Sequence, residues 1–238
     1  MTTFSEHAVK ELLAQYGSHA DRVGSQRFDV NPAKFRAAGL KRTDCITYVI
    51  ECLEAGFEGV GDASAKSKVR QLGQYGTKLA SYLVNTKKWV GVHINPDEYH
   101  PDDGNDEHPY TSYLVRKKCK YYNIPMKYKV TNYRPTPKTD PDFQQVNPAK
   151  AEQTLDSVSY AALKLVKFGF GLSKGGLHTW LFSEGKVYEV HWDELPTSGN
   201  LYEATALNKF MWNSGAIIVP KDQVSKLATL SGLPCSGS

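Results

Sequence analysis

The sequence predicts an α+β fold in which an amphipathic helix packs on an antiparallel sheet. Three observations predict it. Ile46, Val49, Ile50 and Leu53 fall at the i, i+3, i+4, i+7 spacing of a helix facing a core. From Leu177 to Trp192, two alternating runs flank Ser183-Glu184-Gly185-Lys186, the pattern of a β-hairpin with a four-residue connection. Ala216-Ile217-Ile218-Val219-Pro220 has the apolar, β-branched composition of a final buried strand. A chain of 238 residues with 40% apolar content can bury one good core.

The elements follow in chain order. Residues 5–16 predict a helix through Val9, Leu12, Leu13 and Tyr16. Residues 43–56 predict a second, with Thr43 or Asp44 as N-cap and Gly56 as its stop. Another helix is expected within 67–90 through Val69, Leu72, Leu79, Leu83 and Val84, and residues 91–110 read as irregular and polar. Arg116-Lys117-Lys118-Cys119-Lys120-Tyr121-Tyr122 mixes cations with aromatics, but it runs into the alternation Ile124–Val130, which reads as a solvated strand face. The prolines between Asn132 and Pro148 predict a loop or linker. Leu155, Val158, Ala162 and Leu165 predict a further helix leading into a strand, Val166–Phe170. The chain carries no internal repeat.

Composition excludes several classes. A net charge of +4 suits an anionic polymer such as a cell wall without indicating nucleic-acid binding. No apolar run is long enough to cross a membrane, and the first residues lack the basic and apolar regions of a secretory signal. Four cysteines without CxxC spacing argue against a zinc ribbon or a disulfide framework. Cys45 and Cys52 would lie about 10 Å apart along one helix, too far for a disulfide, so Cys52 reads as core filler.

The chemistry concentrates in two places. Cys45 falls in the first turn of its helix, where unpaired N–H groups and the helix dipole favour an anion and lower a thiol pKa. His178 falls on a strand, and a thiolate with an imidazole is the minimum equipment for attacking an amide carbonyl. A base needs an acceptor that fixes its tautomer. On the returning strand Val187, Glu189 and His191 share one face, so His191 or Glu189 meets that need. The bland readings are a small buried cysteine and ordinary sheet histidines.

Three other motifs compete. Gly171-Leu172-Ser173-Lys174-Gly175 matches G-x-S-x-G, but a hairpin follows where an elbow into a helix is required. The run His93 to His108 is rich in metal-ligand types without HExxH or EF-hand spacing, and reads as a solvated acidic loop. Gly61-Asp62-Ala63-Ser64-Ala65-Lys66-Ser67 lacks the second glycine of a phosphate loop.

Two blocks carry a resemblance. Asp44-Cys45-Ile46-Thr47-Tyr48-Val49 is similar to Asp-Cys-Ser-Gly-[Phe/Leu]-Val, and His178-Thr179-Trp180-Leu181-Phe182 to His-Val-Gly-[Ile/Leu]-Tyr, with Trp180 in place of the glycine. Together they resemble the NlpC/P60 branch of papain-like cysteine peptidases. That family's tyrosine and paired glycines before the nucleophile have no match here; Tyr16, Phe28 and Phe35 are the aromatic residues upstream. The resemblance implies a single papain-like domain over 1–238, with 58–150 an insertion between nucleophile and histidine. It implies Cys45 as nucleophile, His178 as base and His191 as the orienting residue, with Glu189 the alternative. The oxyanion would rest on the Cys45 backbone N–H at the helix start marked by Asp44, and neither cofactor nor metal is expected.

The implied activity is hydrolysis of amide bonds in peptidoglycan peptides by an antibacterial effector or lysin. Without a signal peptide, such a hydrolase would be cytoplasmic in its producer. A secretion-system carrier would take it to the periplasm of a target cell, and an immunity protein would guard the producer. No nucleic-acid partner is expected. The alternatives are a papain-like deamidase, acyltransferase or protease acting on a protein, or a non-catalytic binding module keeping the fold.

Overall fold

The structure, a computed structural model, describes residues 2–17, 21–73, 75–96, 121–130, 151–155, 157–173, 178–190, 201–207, 215–230 and 235–236. Helix α1 (Phe4–Gly17) buries Phe4, Ala8, Leu12 and Gln15. Its inner stripe is therefore rotated from the expected one, and Leu13 is 48% exposed. Strands β1 (Arg22–Gly24) and β2 (Lys41–Thr43) pair in parallel around two short helices, α2 (Ser25–Val30) and α3 (Pro32–Ala37). β2 delivers the chain to Asp44, the N-cap of helix α4 (Cys45–Gly59).

α4 does not stop at Gly56. Gly56 is buried under α1, where a Cβ would stand 2.4 Å from a ring carbon of Phe4. The missing side chain serves close helix packing, and the helix continues to Gly59. The expected 67–90 helix is two, α5 (Ala63–Leu72) and α6 (Gly76–Asn85), divided after the α5 C-cap at Gly73. Asp62 caps α5 by accepting from the Ala65 N–H at 2.9 Å, so the rejected phosphate-loop segment is a helix start.

The remaining elements are β3 (Val90–Pro96), β4 (Tyr121–Val130), β5 (Ala151–Leu155), α7 (Ser157–Lys164), β6 (Gly169–Ser173), β7 (His178–Ser183), β8 (Lys186–Val190), β9 (Tyr202–Ala206) and β10 (Gly215–Val219). A 3₁₀ helix (Lys221–Leu230) and a short strand β11 (Cys235–Ser236) follow, so β10 is not the final strand. Nine strands form one sheet in the order β11-β4-β3-β10-β6-β7-β8-β9, with β5 on β4. Every neighbouring pair is antiparallel except β3 and β4, which run parallel, so the sheet is mixed rather than antiparallel throughout.

Other expectations shift locally. Residues 90–96 of the stretch read as irregular form a strand inside the sheet. Leu155 lies on β5, not on a helix; Leu165 is 55% exposed while Leu163 and Val166 are buried. The strand expected from Val166 begins at Gly169. The Asn132–Pro148 loop, Cys119, and residues 97–108 of the His/Asp-rich run lie outside the described residues.

Helices cover both faces of the sheet. On one side α1, α4, α5 and α6 pack on Phe168, Phe170, Leu181, Tyr188, Val190 and Ile218. On the other, Leu163 of α7 and Leu227 of the 3₁₀ helix pack with Trp180, Phe182, Val187, Ile217 and Val219. Alternate strand residues thus feed opposite layers, as the pleat requires. Val69, Leu79 and Leu83, from the segment expected as an insertion, share the core of α4, and β3 from that segment pairs with β10. Among the described residues, no helix is long and apolar enough to cross a membrane.

Candidate active site

The site begins with the helix start. Asp44 accepts a hydrogen bond from the Thr47 N–H at 2.8 Å, the N-cap geometry that fixes the first turn of α4. That places Cys45 at the first helical position, partly exposed, with the positive end of the dipole beneath its sulfur. The cap uses the Thr47 N–H, and the Tyr48 N–H returns to the Asp44 carbonyl, so the N–H groups of Cys45 and Ile46 are the first-turn donors suited to an anion.

The joint before the cysteine is held on both sides. Arg42 donates to the Ser25 hydroxyl at 2.7 Å and lies 3.4 Å from Asp29 and 3.7 Å from Asp44. On the inner side the Tyr202 hydroxyl sits between Gln15 Oε1, at 3.1 Å, and Thr43 Oγ1, at 3.4 Å. Gln15 in turn donates to Glu51 at 2.7 Å, and Glu51 takes the Arg22 guanidinium at 2.8 Å. α1, β1, β2, α4 and β9 are thereby tied together directly behind the nucleophile position.

The second half comes from the β7–β8 hairpin. Its connection is tighter than expected: Glu184 and Gly185 have φ of 49° and 80° and form a two-residue turn. Register is set by Leu181 opposite Tyr188 and Phe182 opposite Val187. Continued outward, it puts Glu189 opposite Trp180 and diagonal to His178 on the same face. His178 Nε2 lies 2.8 Å from Glu189 Oε2, with Glu189 7% and His178 19% exposed at the side chain. A carboxylate only accepts, so Nε2 carries the proton and Nδ1 is left for the cysteine.

Electrostatics join the two halves. Burial pushes the Cys45 thiol up, but the hydrogen bond and charge of His178, then the backbone N–H and hydroxyl of Thr179, bring it below its ordinary value. Burial pushes the His178 imidazolium down, yet hydrogen bonds to Cys45 and Glu189, with their charges, carry it up to about 9. Thiolate and imidazolium therefore coexist between those two values. Cys52, on the same helix, is fully buried and pushed well above its ordinary value, which leaves it a neutral thiol.

The expected site residues divide as follows. Cys45, His178 and Glu189 come together. His191 lies outside the described residues, and the hydrogen bond expected of it is made by Glu189. Asp44 caps the helix with its carboxylate and supplies no oxyanion donor. Tyr16 packs edge-on against Tyr188, and Phe28 stacks on Phe35, so these rings serve packing. Gly171, Leu172 and Ser173 lie on β6 with no helix directly after them, and Lys174 and Gly175 lie outside the described residues. Among the described residues, no group of three or more histidine, cysteine or carboxylate side chains is placed to hold a metal.

Thr179 was not anticipated. Its signal was a hydroxyl at the position alternating with Leu181, on the strand face that packs against α4. No protein-family model, curated protein or solved structure matches this chain.

Proposed function

We propose that the chain is a papain-like cysteine amidase or endopeptidase of the NlpC/P60 type, acting on peptidoglycan peptides as an antibacterial effector or lysin. One observation carries the reading: Cys45 at a helix N-terminus, His178 hydrogen-bonded to it, and Glu189 on the far ring nitrogen form one continuous line. The choice of cell wall as substrate rests on the sequence resemblance.

In the proposed reaction the Cys45 thiolate adds to the scissile carbonyl carbon. The oxyanion is received by the N–H groups at the start of α4. The tetrahedral adduct collapses as the His178 imidazolium protonates the departing amine, leaving a thioester on Cys45. Neutral His178 then takes a proton from water. The hydroxide equivalent attacks the thioester, and collapse releases the acid and restores the thiolate. Throughout, Glu189 holds the Nε2 proton and thereby the tautomer that offers Nδ1 to the sulfur.

Incubation of purified sacculi with the protein, followed by mass analysis of soluble fragments, tests the reading. Wild type should release peptides with newly exposed amino groups, and Cys45→Ala should release none. Release by Cys45→Ala would contradict the nucleophile, and no release by wild type would contradict the cell-wall substrate.

A further inference from the structure

We propose that Thr179 is a positioning residue of this site, its backbone N–H and hydroxyl holding the Cys45 sulfur in the thiolate form from the sheet side. This rests on the reading of Cys45 as nucleophile. Thr179 is 3% exposed. Among the described residues, its Oγ1 is the one buried side-chain nitrogen or oxygen without a hydrogen-bond partner. The group it faces is the Cys45 sulfur, which its backbone N–H also approaches.

A buried hydroxyl without an acceptor is costly, and core positions of this kind ordinarily carry valine. Its neighbours make the exception sharper. Leu181, on the same face of β7, lies in the apolar core that packs on α4. A neutral thiol is a weak acceptor and leaves the hydroxyl unsatisfied, whereas a thiolate accepts from it strongly. The unsatisfied state therefore penalises the thiol and not the thiolate. The titratable group that faces the sulfur is His178, backed by Glu189 on β8, and Asp44 precedes the cysteine on the helix side. Thr179 adds donors without adding a proton that titrates in this range. His178 and Thr179 are consecutive on β7, so one strand supplies both the base and the anion's second support.

The test is the pH dependence of iodoacetamide labelling, resolved by mass spectrometry at Cys45 with Cys52 as the internal reference. Thr179→Val keeps shape and removes the hydroxyl, and Thr179→Ser restores it. In Thr179→Val, labelling of Cys45 at mildly acidic pH should slow about 3- to 10-fold and converge on wild type at alkaline pH, where every thiol is ionised. Thr179→Ser should label at close to the wild-type rate. An unchanged profile in Thr179→Val overturns this role while leaving the Cys45 reading intact. Equal slowing at every pH, or equal slowing in Thr179→Ser, also overturns it, since a packing defect would do either. Wild-type Cys45 labelling no faster than Cys52 overturns both readings.

Discussion

At the residue scale, the carboxylate of Glu189 gives His178 a charged partner where a neutral imidazole would give only orientation. A hydrogen bond to an anion at 2.8 Å both fixes the ring and favours its protonated form. Glu189→Gln keeps an acceptor for the Nε2 proton and removes the charge. It should lower kcat/KM about 10- to 100-fold and leave the ring oriented. It should also move the alkaline limb of the pH profile to lower pH. In the wild type that limb belongs to His178, whose proton is lost as pH rises through about 9. The acidic limb belongs to Cys45, whose thiolate is lost as pH falls through a value below its ordinary one. Stopped assays across this range check both limbs, and a Glu189→Gln profile identical to wild type would return the orienting role to another group.

Alternation in the sequence placed Glu189 and His191 on one face but could not separate them. The separation is a matter of reach. The register puts Glu189 diagonally across from His178, and a glutamate spans a diagonal that a shorter side chain would not. Thr179 was illegible for a different reason: a threonine within a strand is ordinary, and only its burial beside a sulfur distinguishes it.

At the scale of elements, α4 was the most legible part of the chain because its apolar spacing and its cap agree. Its far end misled, since a glycine that lets a ring approach looks in sequence like a glycine that ends a helix. The near end matters more to the site. Asp44→Ala removes the cap that sets the first turn and should cost about 1 kcal/mol, lowering Tm by about 2–4 °C. Asp44→Asn retains an acceptor and should recover most of that loss. Thermal melts of the two variants check this, and equal losses would mean that charge, rather than the cap, is what the position supplies.

Over the whole molecule, local pattern gave the helices and the hairpin, while the sheet order depends on contacts the pattern does not contain. β10 lies between β3 and β6, and β3 runs parallel to β4, pairings made across long separations in the chain. These pairings are why the segment after α4 shares the main core: α5 and α6 bury Val69, Leu79 and Leu83 against the same layer as α4. The result for the site is that α4 and β7 belong to one packed body, with Tyr202 of β9 linked to the residue before the helix cap. Helix start and strand histidine are thus held together by the core, not by the loops beside them.

The central claim, a thiolate–imidazolium pair between Cys45 and His178, is tested most directly by titrating the His178 ring by NMR in wild type and in Cys45→Ala. The account predicts a wild-type midpoint of about 9. It also predicts a clear fall in Cys45→Ala, because the anion that helps hold the proton is gone while Glu189 remains. A wild-type midpoint at the ordinary histidine value, unchanged by removing the cysteine, would contradict it.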